Sequence, residues 1–297
     1  MNGSAVLGLA IMIGSQAATL AGIEPFASWN TPICWTGFIG FADAIVFQAR
    51  GRSWLRSAPG EFAFLALVSI PLWLVFEFYN LFIENWYYTG LPDNFGLRMF
   101  GYAWSYATIW PAIFEGADLI SVLRGVTGFL HWRPGPHAGT PARLPRADPT
   151  RGEVAGAKGF TWAMWVSVFG GLAMLAWPLV WPSRYLAAAV WLGFIFLLDP
   201  LNARVAEQSL AGDLGRGQLD RMLNLALSGL LCGLLWEFWN YWSRAKWHYT
   251  VPIMEDVKLF EMPLPGYFGF PAFALECFTM YVFVRRIFGT EGRPIAL

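Results

Sequence analysis

The sequence predicts an all-α integral membrane protein with about eight transmembrane helices, built from two parallel four-helix repeats in a pseudo-twofold bundle. Composition is the first reason, because the 297 residues are 56% hydrophobic and only 13% charged, whereas soluble domains carry about 25% charged residues. The second reason is a motif that occurs twice, since residues 76–80 read FEFYN and residues 236–240 read WEFWN. Together they predict a membrane protein with an internal duplication.

Eight apolar stretches define the predicted helices, since a transmembrane helix needs about 20 predominantly apolar residues. The first stretch is only mildly hydrophobic and contains Gln16. No basic cluster precedes it, so we expect it to be retained as a helix and not cleaved as a signal peptide. The predicted spans are residues 5–23, 32–48, 61–84, 103–123, 160–180, 185–202, 222–243 and 268–287.

Further markers occur in the same order in both halves and extend the duplication beyond the motif. The matched markers are Trp35 with Trp191, Asp43 with Asp199, Pro111 with Pro271, and Glu115 with Glu276. Four helices per half give both halves the same orientation, so the repeats are parallel about an axis along the membrane normal. The predicted divisions are a first repeat at residues 1–130, a basic linker rich in Pro and Gly at 131–158, and a second repeat at 159–297.

The distribution of Lys and Arg sets the predicted orientation, because cytoplasmic loops of membrane proteins carry an excess of both residues. Arginines gather in the linker and near residues 50–56 and 204–221. We therefore predict a multi-pass protein of a bacterial-type inner (plasma) membrane, with both termini in the cytoplasm. Segments 85–102 and 244–267 are rich in Trp, Tyr and Pro, and we expect them to form ordered loops at the outer interface.

Glutamates within the apolar spans are the candidate catalytic residues. Glu77 and Asn80 lie three residues apart and share one helical face, as do Glu237 and Asn240. A carboxyl group is costly in such a span, so its duplication favours a role. The predicted catalytic residues are Glu77, Glu115, Glu237 and Glu276. From their depth in the spans, we expect two clusters of two glutamates and one asparagine in the outer half of the membrane.

Aromatic side chains around the glutamates are the candidate substrate-binding residues, and Asn80 and Asn240 are expected to orient the carboxyl groups. Aromatic faces stabilise cations, and a carboxyl group buried without a basic partner favours its neutral, proton-donating form. The aromatic candidates are Phe78, Tyr79, Trp86, Tyr88, Trp236, Trp239, Trp247 and Tyr249. In the alternative interpretation, the glutamates cross-link helices and the aromatic residues form packing contacts and interfacial belts.

Several functional classes lack the residues that they need. Basic and acidic residues number 20 each, so the charge gives no indication of a nucleic-acid partner. The three cysteines and three histidines have no metal-ligand or haem spacing, so we expect neither a metal nor a cofactor. Asp43 and Asp199 are interpreted as turn or helix-end residues, with a proton path to the glutamates as the alternative.

The order of these elements resembles integral-membrane carotenoid cyclases of the lycopene-cyclase-domain type. Those proteins carry a Trp-x-Tyr-like element in a loop, followed by a proline and acidic motif that opens the next helix, and residues 86–115 and 247–276 have that order. This chain has one glutamate four or five residues after the proline, where the family has paired acids directly after it. The resemblance implies Glu115 and Glu276 as proton donors. Small membrane-bound terpene cyclases are similar in placing acidic residues among aromatic ones.

Three functions remain open. One is acid-catalysed modification or cyclisation of a lipophilic isoprenoid, because a neutral carboxylic acid can protonate an alkene and aromatic faces can stabilise the carbocation. Another is a proton- or cation-coupled transporter or channel, since duplicated bundles with intramembrane carboxylates are common among transporters. The third is a structural or pigment-binding subunit of a membrane complex. The expected partners are the lipid bilayer and a lipophilic small molecule, with a homo-oligomer or larger complex left open.

Overall fold

The computed structural model describes residues 2–128, 161–205, 207–289 and 292–297. This part of the chain is a bundle of eight long α-helices, with two short α-helices and four short strands in the connections. The first half contains α1 (Gly3–Leu20), α2 (Phe26–Arg50), α3 (Trp54–Ser57), α4 (Pro59–Ile83), β1 (Trp86–Thr89) and α5 (Phe95–Thr127). The second half contains α6 (Trp162–Val180), α7 (Ala187–Arg204), α8 (Leu210–Gly215), α9 (Asp220–Trp242), β2 (Lys246–Tyr249), β3 (Lys258–Leu259), β4 (Met262–Pro263) and α10 (Gly269–Ile287). The predicted linker at 131–158 lies outside the described residues.

Seven of the helices are long and apolar enough to cross a membrane, judged by length and composition. They are α1, α2, α4, α6, α9, and α7 and α10, each together with the turn before it. Helix α5 has 33 residues, but Tyr, Trp, Ser and charged residues interrupt its apolar run. The prediction of an all-α fold with several helices able to cross a membrane is therefore confirmed, while the eighth span and the two parallel repeats stay predictions.

Helix α5 begins two turns earlier than the apolar run suggested, at Phe95 and not near residue 103. Asn94 fixes this start, because its side chain accepts a hydrogen bond from the backbone N–H of Leu97 at 3.0 Å. The first turns are polar and aromatic, so hydropathy does not reveal them. As a result, Pro111 lies well inside the helix, whereas the cyclase resemblance implied a proline that opens it.

Glycines let the first two helices of each half cross closely. A Cβ on Gly8 of α1 would lie 2.6 Å from the carbonyl oxygen of Gly37 in α2. A Cβ on Gly171 of α6 would lie 2.7 Å from the carbonyl oxygen of Gly193 in α7. Small residues at a crossing bring two backbones into contact, which is a common way for membrane helices to associate. The two halves use the same device at matching crossings.

Helices α5 and α9 join the two halves. The Ser228 hydroxyl of α9 donates a hydrogen bond to the carbonyl oxygen of Ile113 in α5 at 2.7 Å. A Cβ on Gly116 would lie 2.4 Å from the same hydroxyl oxygen, so α5 needs glycine there. At the end of α5, Arg124 donates to Asp220 at 2.8 Å. Polar contacts of this kind stabilise pairs of helices in a membrane, where lipid tails are as apolar as the helix surfaces and burial of apolar surface contributes little to association.

Asp43 and Asp199 hold the two short helices in place. Asp43 accepts hydrogen bonds from the backbone N–H of Leu55 at 2.9 Å and from Arg56 at 2.7 Å. Asp199 accepts one from the backbone N–H of Leu210 at 2.8 Å. These contacts agree with the structural interpretation of both aspartates. Helix α7 continues past Asp199, however, so this residue does not end the helix as its following proline suggested.

The last described segment, residues 292–297, folds back into the bundle at the end opposite β1 and β2. Ile295 and Ala296 are fully buried. The guanidinium of Arg221 donates to the carbonyl oxygen of Ile295 at 3.1 Å, and the amide of Asn224 donates to that of Ala296 at 2.8 Å. The tail thereby satisfies two polar side chains of α9 that are themselves buried.

Candidate active site

Strands β1 and β2 come from different halves and pair as an antiparallel ribbon. Trp86 lies opposite Tyr249, and Tyr88 lies opposite Trp247. Because successive side chains of a strand point to opposite faces, these four aromatic residues share one face of the ribbon. Sequence analysis predicted ordered loops here but not the strands, since the pairing joins segments far apart in the chain.

Asn80 attaches β1 to the end of α4. Its amide nitrogen donates to the carbonyl oxygen of Trp86 at 2.8 Å, and its amide oxygen accepts from the backbone N–H groups of Asn85 and Trp86 at 2.8 and 3.2 Å. An asparagine side chain used in this way takes the place of backbone pairing at a turn. The hydrogen bonds of Asn80 therefore fix the strand and do not orient Glu77.

Asn240 attaches β2 to the end of α9 in the same manner. Its amide group donates to the carbonyl oxygen of Trp247 and accepts from the backbone N–H of the same residue, both at 2.9 Å. The expectation that both asparagines orient the carboxyl groups is thus replaced by an anchoring role, in which Asn80 bonds a tryptophan six residues on and Asn240 bonds one seven residues on.

An aromatic cavity of about 410 Å³ lies beneath the ribbon. We term it the chamber. Helices α2, α4, α5, α7, α9 and α10 contribute its walls, so both halves are needed to form it. Its aromatic lining includes Trp29, Trp35, Trp73, Trp86, Trp191, Trp236 and Trp247, the tyrosines Tyr88, Tyr102, Tyr106, Tyr185 and Tyr249, and the phenylalanines Phe268, Phe270 and Phe273. Such a lining suits an apolar or cationic ligand.

Glu77 lies behind the chamber wall and accepts hydrogen bonds from residues that form it. The indole N–H of Trp73 donates to one carboxyl oxygen at 2.8 Å. The hydroxyl of Tyr106 donates to the same oxygen at 3.3 Å, and the hydroxyl of Tyr88 forms a shorter bond to it. Tyr88 therefore lies between Glu77 and the chamber.

Glu237 has the equivalent position behind Tyr249. The Tyr249 hydroxyl donates to its carboxyl group at 2.9 Å, and the indole N–H of Trp247 donates to that hydroxyl at 2.9 Å. Glu237 is fully buried. Two Tyr–Glu pairs, Tyr88–Glu77 and Tyr249–Glu237, thus lie along the ribbon face, with only the tyrosines on the chamber wall.

The hydroxyl groups of both tyrosines are held in the protonated form. Burial, reinforced by the adjacent carboxyl group, raises the pKa of Tyr88 and of Tyr249 well above the usual value of about 10. Each hydroxyl therefore serves as a hydrogen-bond donor to its glutamate, and each tyrosine also lines the chamber.

Glu115 and Glu276 do not join the pairs, so the two predicted glutamate clusters are not formed. Along α5, Glu115 lies nine residues beyond Tyr106, which is a rise of about 13 Å. It is buried near Asp43 and Asp118, toward the opposite end of the bundle. Glu276 is also buried, and accepts a bond from the backbone N–H of Phe194 at 3.2 Å.

The predicted aromatic candidates divide into two groups. Trp86, Tyr88, Trp236, Trp247 and Tyr249 line the chamber. The remaining three do not line it. Phe78 is 48% exposed on the outside of α4. Tyr79 packs on Phe194, and Trp239 packs edge-on against Trp35. A helix turns each residue by about 100°, so neighbours of a site residue commonly face away from the site.

Several chamber residues were missed by sequence reasoning. Arg98, Tyr102, Tyr106 and Ile109 line the chamber from α5 at spacings of three or four residues, which place them on one helical face. That spacing was available in the sequence, but it begins before the apolar run that defined the predicted helix. Trp73 was also missed, although it precedes Glu77 by one helical turn.

No group of three or more His, Cys, Asp or Glu side chains suited to a metal ion occurs in the described ranges. In comparisons with known proteins, no family model matches the chain, and no match was found among curated proteins or solved structures. The proposed function therefore depends on the chemistry of the chamber.

Proposed function

We propose that this chain is a membrane enzyme that binds a lipophilic isoprenoid in the chamber and modifies it by acid–base catalysis, with cyclisation as the reaction. The observation that carries the proposal is the presence of two Tyr–Glu pairs on the wall of one aromatic cavity. The same proposal includes two parallel four-helix repeats, with α5 as the eighth helix to cross the membrane. Both termini then lie in the cytoplasm, and the end of the bundle that carries the ribbon faces the outer side.

The size and lining of the chamber support an isoprenoid ligand. A volume of about 410 Å³ lies within the range of roughly 300–1,000 Å³ of small-molecule sites. Aromatic faces pack well against a branched hydrocarbon chain, and their π-systems stabilise a carbocation. Helices that are apolar enough to cross a membrane surround the chamber, so a lipid reaches it without leaving the bilayer.

Cyclisation needs one group that donates a proton and one that removes a proton. Addition of a proton to one alkene carbon forms a carbocation, a second alkene attacks it to form the new C–C bond, and loss of a proton restores an alkene. The reaction is redox-neutral and needs no cofactor. Tyr88 and Tyr249 are diagonal neighbours on the ribbon, where side chains lie about 7–8 Å apart, so the two pairs can serve opposite ends of one reacting segment.

Proton transfer in each pair passes through the tyrosine, because the glutamate does not line the chamber. Since the raised pKa disfavours a free tyrosinate, the hydroxyl exchanges one proton with the substrate as it exchanges another with the glutamate. This arrangement assigns the acid–base chemistry to Glu77 and Glu237. Glu115 and Glu276, which the cyclase resemblance implied as donors, are left out of it.

The test is isotope incorporation by the purified protein in deuterated water. Geranylgeraniol, geranylgeranyl phosphate, squalene and lycopene are incubated with the enzyme, and products are analysed by mass spectrometry and NMR. We expect a cyclised product with one carbon-bound deuterium, and we expect Glu237→Gln and Glu77→Gln to reduce its rate by at least about 100-fold, the usual contribution of a general acid or base.

Glu276→Gln is the matched control, since it makes the same change at a buried glutamate away from the chamber wall. Its rate is expected to stay near that of the wild type. Equal losses in Glu276→Gln and Glu237→Gln would assign the acid to a different site. The absence of deuterated product from all four substrates would overturn the cyclisation proposal.

A further inference from the structure

The charges on the chamber wall have one sign. The described residues that line it include Arg98, Arg184 and Lys246 but no aspartate or glutamate. Arg98 lies in the first turns of α5, Arg184 in the turn before α7, and Lys246 at the start of β2. All three therefore belong to the ribbon end of the bundle, at the mouth of an otherwise apolar cavity.

Two of these cations have carboxylate partners outside the chamber. Arg184 pairs with Glu84 at 3.2 Å, and Lys246 pairs with Glu261 at 3.0 Å. Neither glutamate lines the cavity, whereas Arg184 and Lys246 do. The pairs fix the positions of these two cations and partly offset their charge.

Arg98 differs, because no carboxylate lies within ion-pair distance of it in the described part of the chain. It does not stabilise α5 either, since the helix dipole favours cations at the C-terminal end and not at the N-terminal end. On the same face of α5, Tyr102 and Tyr106 continue the chamber wall below it. Arg98 is thus a half-buried cation directed along an aromatic surface.

We propose that this mouth binds a phosphate or pyrophosphate group at the end of an isoprenoid chain, so that the ligand of the chamber is an isoprenyl phosphate. The proposal rests on the proposed function and names its substrate class. An apolar cavity takes the hydrocarbon, and guanidinium groups present several N–H donors that match phosphate oxygens. With the phosphate at the mouth, the alkenes of the chain lie beneath the ribbon, where Tyr88 and Tyr249 face them.

The experiment compares two ligands with the same hydrocarbon, geranylgeranyl phosphate and geranylgeraniol. Binding to the full chain in a neutral detergent is followed by tryptophan fluorescence, because seven tryptophans line the chamber. We expect the phosphate to bind at least about tenfold more tightly, which corresponds to one charge-assisted hydrogen bond. This preference should decrease as ionic strength rises.

Arg98→Gln should remove most of the preference and leave the affinity for geranylgeraniol unchanged, which also shows that the variant is folded. Arg244→Gln is the matched control, since Arg244 pairs with Glu24 at 2.7 Å at the same end of the bundle but does not line the chamber. An undiminished preference in Arg98→Gln would overturn the assignment of Arg98.

Three other outcomes separate this proposal from the proposed function. Equal binding of phosphate and alcohol would overturn the anionic site while leaving the isoprenoid chamber intact. Equal competition by dioleoyl phosphatidic acid would show a site for any lipid phosphate and overturn the isoprenyl specificity. Binding of none of these lipids would overturn both proposals. Glu237→Gln should keep the phosphate preference and lose only turnover.

Discussion

The two Tyr–Glu pairs have similar sequences but different surroundings. On the first side, one carboxyl oxygen of Glu77 accepts hydrogen bonds from three donors, an indole and two hydroxyl groups. On the second side, Glu237 accepts from Tyr249, and its other oxygen is buried without a hydrogen-bond partner among the described residues. The same sequence motif therefore contains two carboxyl groups that accept different numbers of hydrogen bonds.

The difference originates one helical turn before each glutamate. Trp73 precedes Glu77 by four residues and donates to it. The residue four positions before Glu237 is Gly233, and a Cβ there would lie 2.2 Å from the ring of Phe270. In the first half, this space holds the indole of Trp73, which donates a hydrogen bond. In the second half, the ring of Phe270 from α10 occupies it and donates none.

This comparison divides the roles within the proposed reaction. In that proposed reaction we assign the acceptor of the final proton to Glu77, whose carboxyl oxygen is oriented by three hydrogen-bond donors. We assign the proton donor to Glu237, because one of its carboxyl oxygens has no hydrogen-bond partner among the described residues and can carry the proton before transfer. The two sites thus differ in their surroundings while they keep the same acidic residue.

Replacing Trp73 should give the largest effect on stability. Trp73→Ala removes a buried ring that contacts Trp86, Trp236 and Phe273, and we expect it to reduce the free energy of unfolding by about 3–5 kcal/mol. Unfolding in mixed detergent–SDS micelles measures this loss. Trp73→Phe should cost less because it keeps a ring, and Phe270→Ala should cost less because Phe270 is only half-buried. Equal losses for Trp73→Ala and Trp73→Phe would mean that the indole hydrogen bond, and not packing, dominates.

Removing each carboxyl group gives the next largest effect and tests the asymmetry directly. Glu77→Leu leaves three donors without their acceptor, so we expect a loss of about 2–4 kcal/mol in the free energy of unfolding. Glu237→Leu also removes an unpartnered buried oxygen, which offsets the one lost bond, so we expect a loss of about 1 kcal/mol or less. The same micelle titration measures both. A larger loss in Glu237→Leu would contradict the comparison.

The smallest effect concerns Glu261, which accepts from Lys246 and His248 at 3.0 Å each. Burial acts to raise the pKa of Glu261, but the two donors outweigh it and lower the pKa below its usual value. A lowered pKa means that the stabilisation is present above the unfolded-state value and is lost as pH falls through the folded-state value. We expect a loss below about 1 kcal/mol on acidification below about pH 4.

Hydrogen exchange at β2, measured across that pH range, reports this loss locally. Glu261→Gln should make the exchange of β2 independent of pH in the same interval, whereas β1 should change little in either protein. Acid-dependent opening that persists in Glu261→Gln would assign the effect to another carboxyl group.

Hydropathy was sufficient to find the long helices, because an apolar run of membrane length has few alternatives. The predicted spans fall on the eight long helices, within several residues at most ends. The start of α5 was placed too late because Phe95 to Tyr102 are not an apolar run, although Asn94 gives a capping signal. That shift also misplaced Pro111 within its helix.

The candidate site was predicted in part. The repeated motif led to Glu77 and Glu237 and to five of the aromatic residues on the chamber wall. It did not lead to the separation of Glu115 from Glu77, because relative depth depends on where each helix begins and how the helices are staggered. Nor could a single sequence indicate that Asn80 anchors a strand, since the strand exists only through pairing with the other half.

The ribbon also has a consequence for how the protein matures. Its strands join residues 159 positions apart in the chain, and contacts of such long sequence separation form late because a large loop must first be closed. Both halves must therefore be inserted before the roof of the chamber exists. The proposed ligand, by binding only to the completed chamber, would stabilise the folded state.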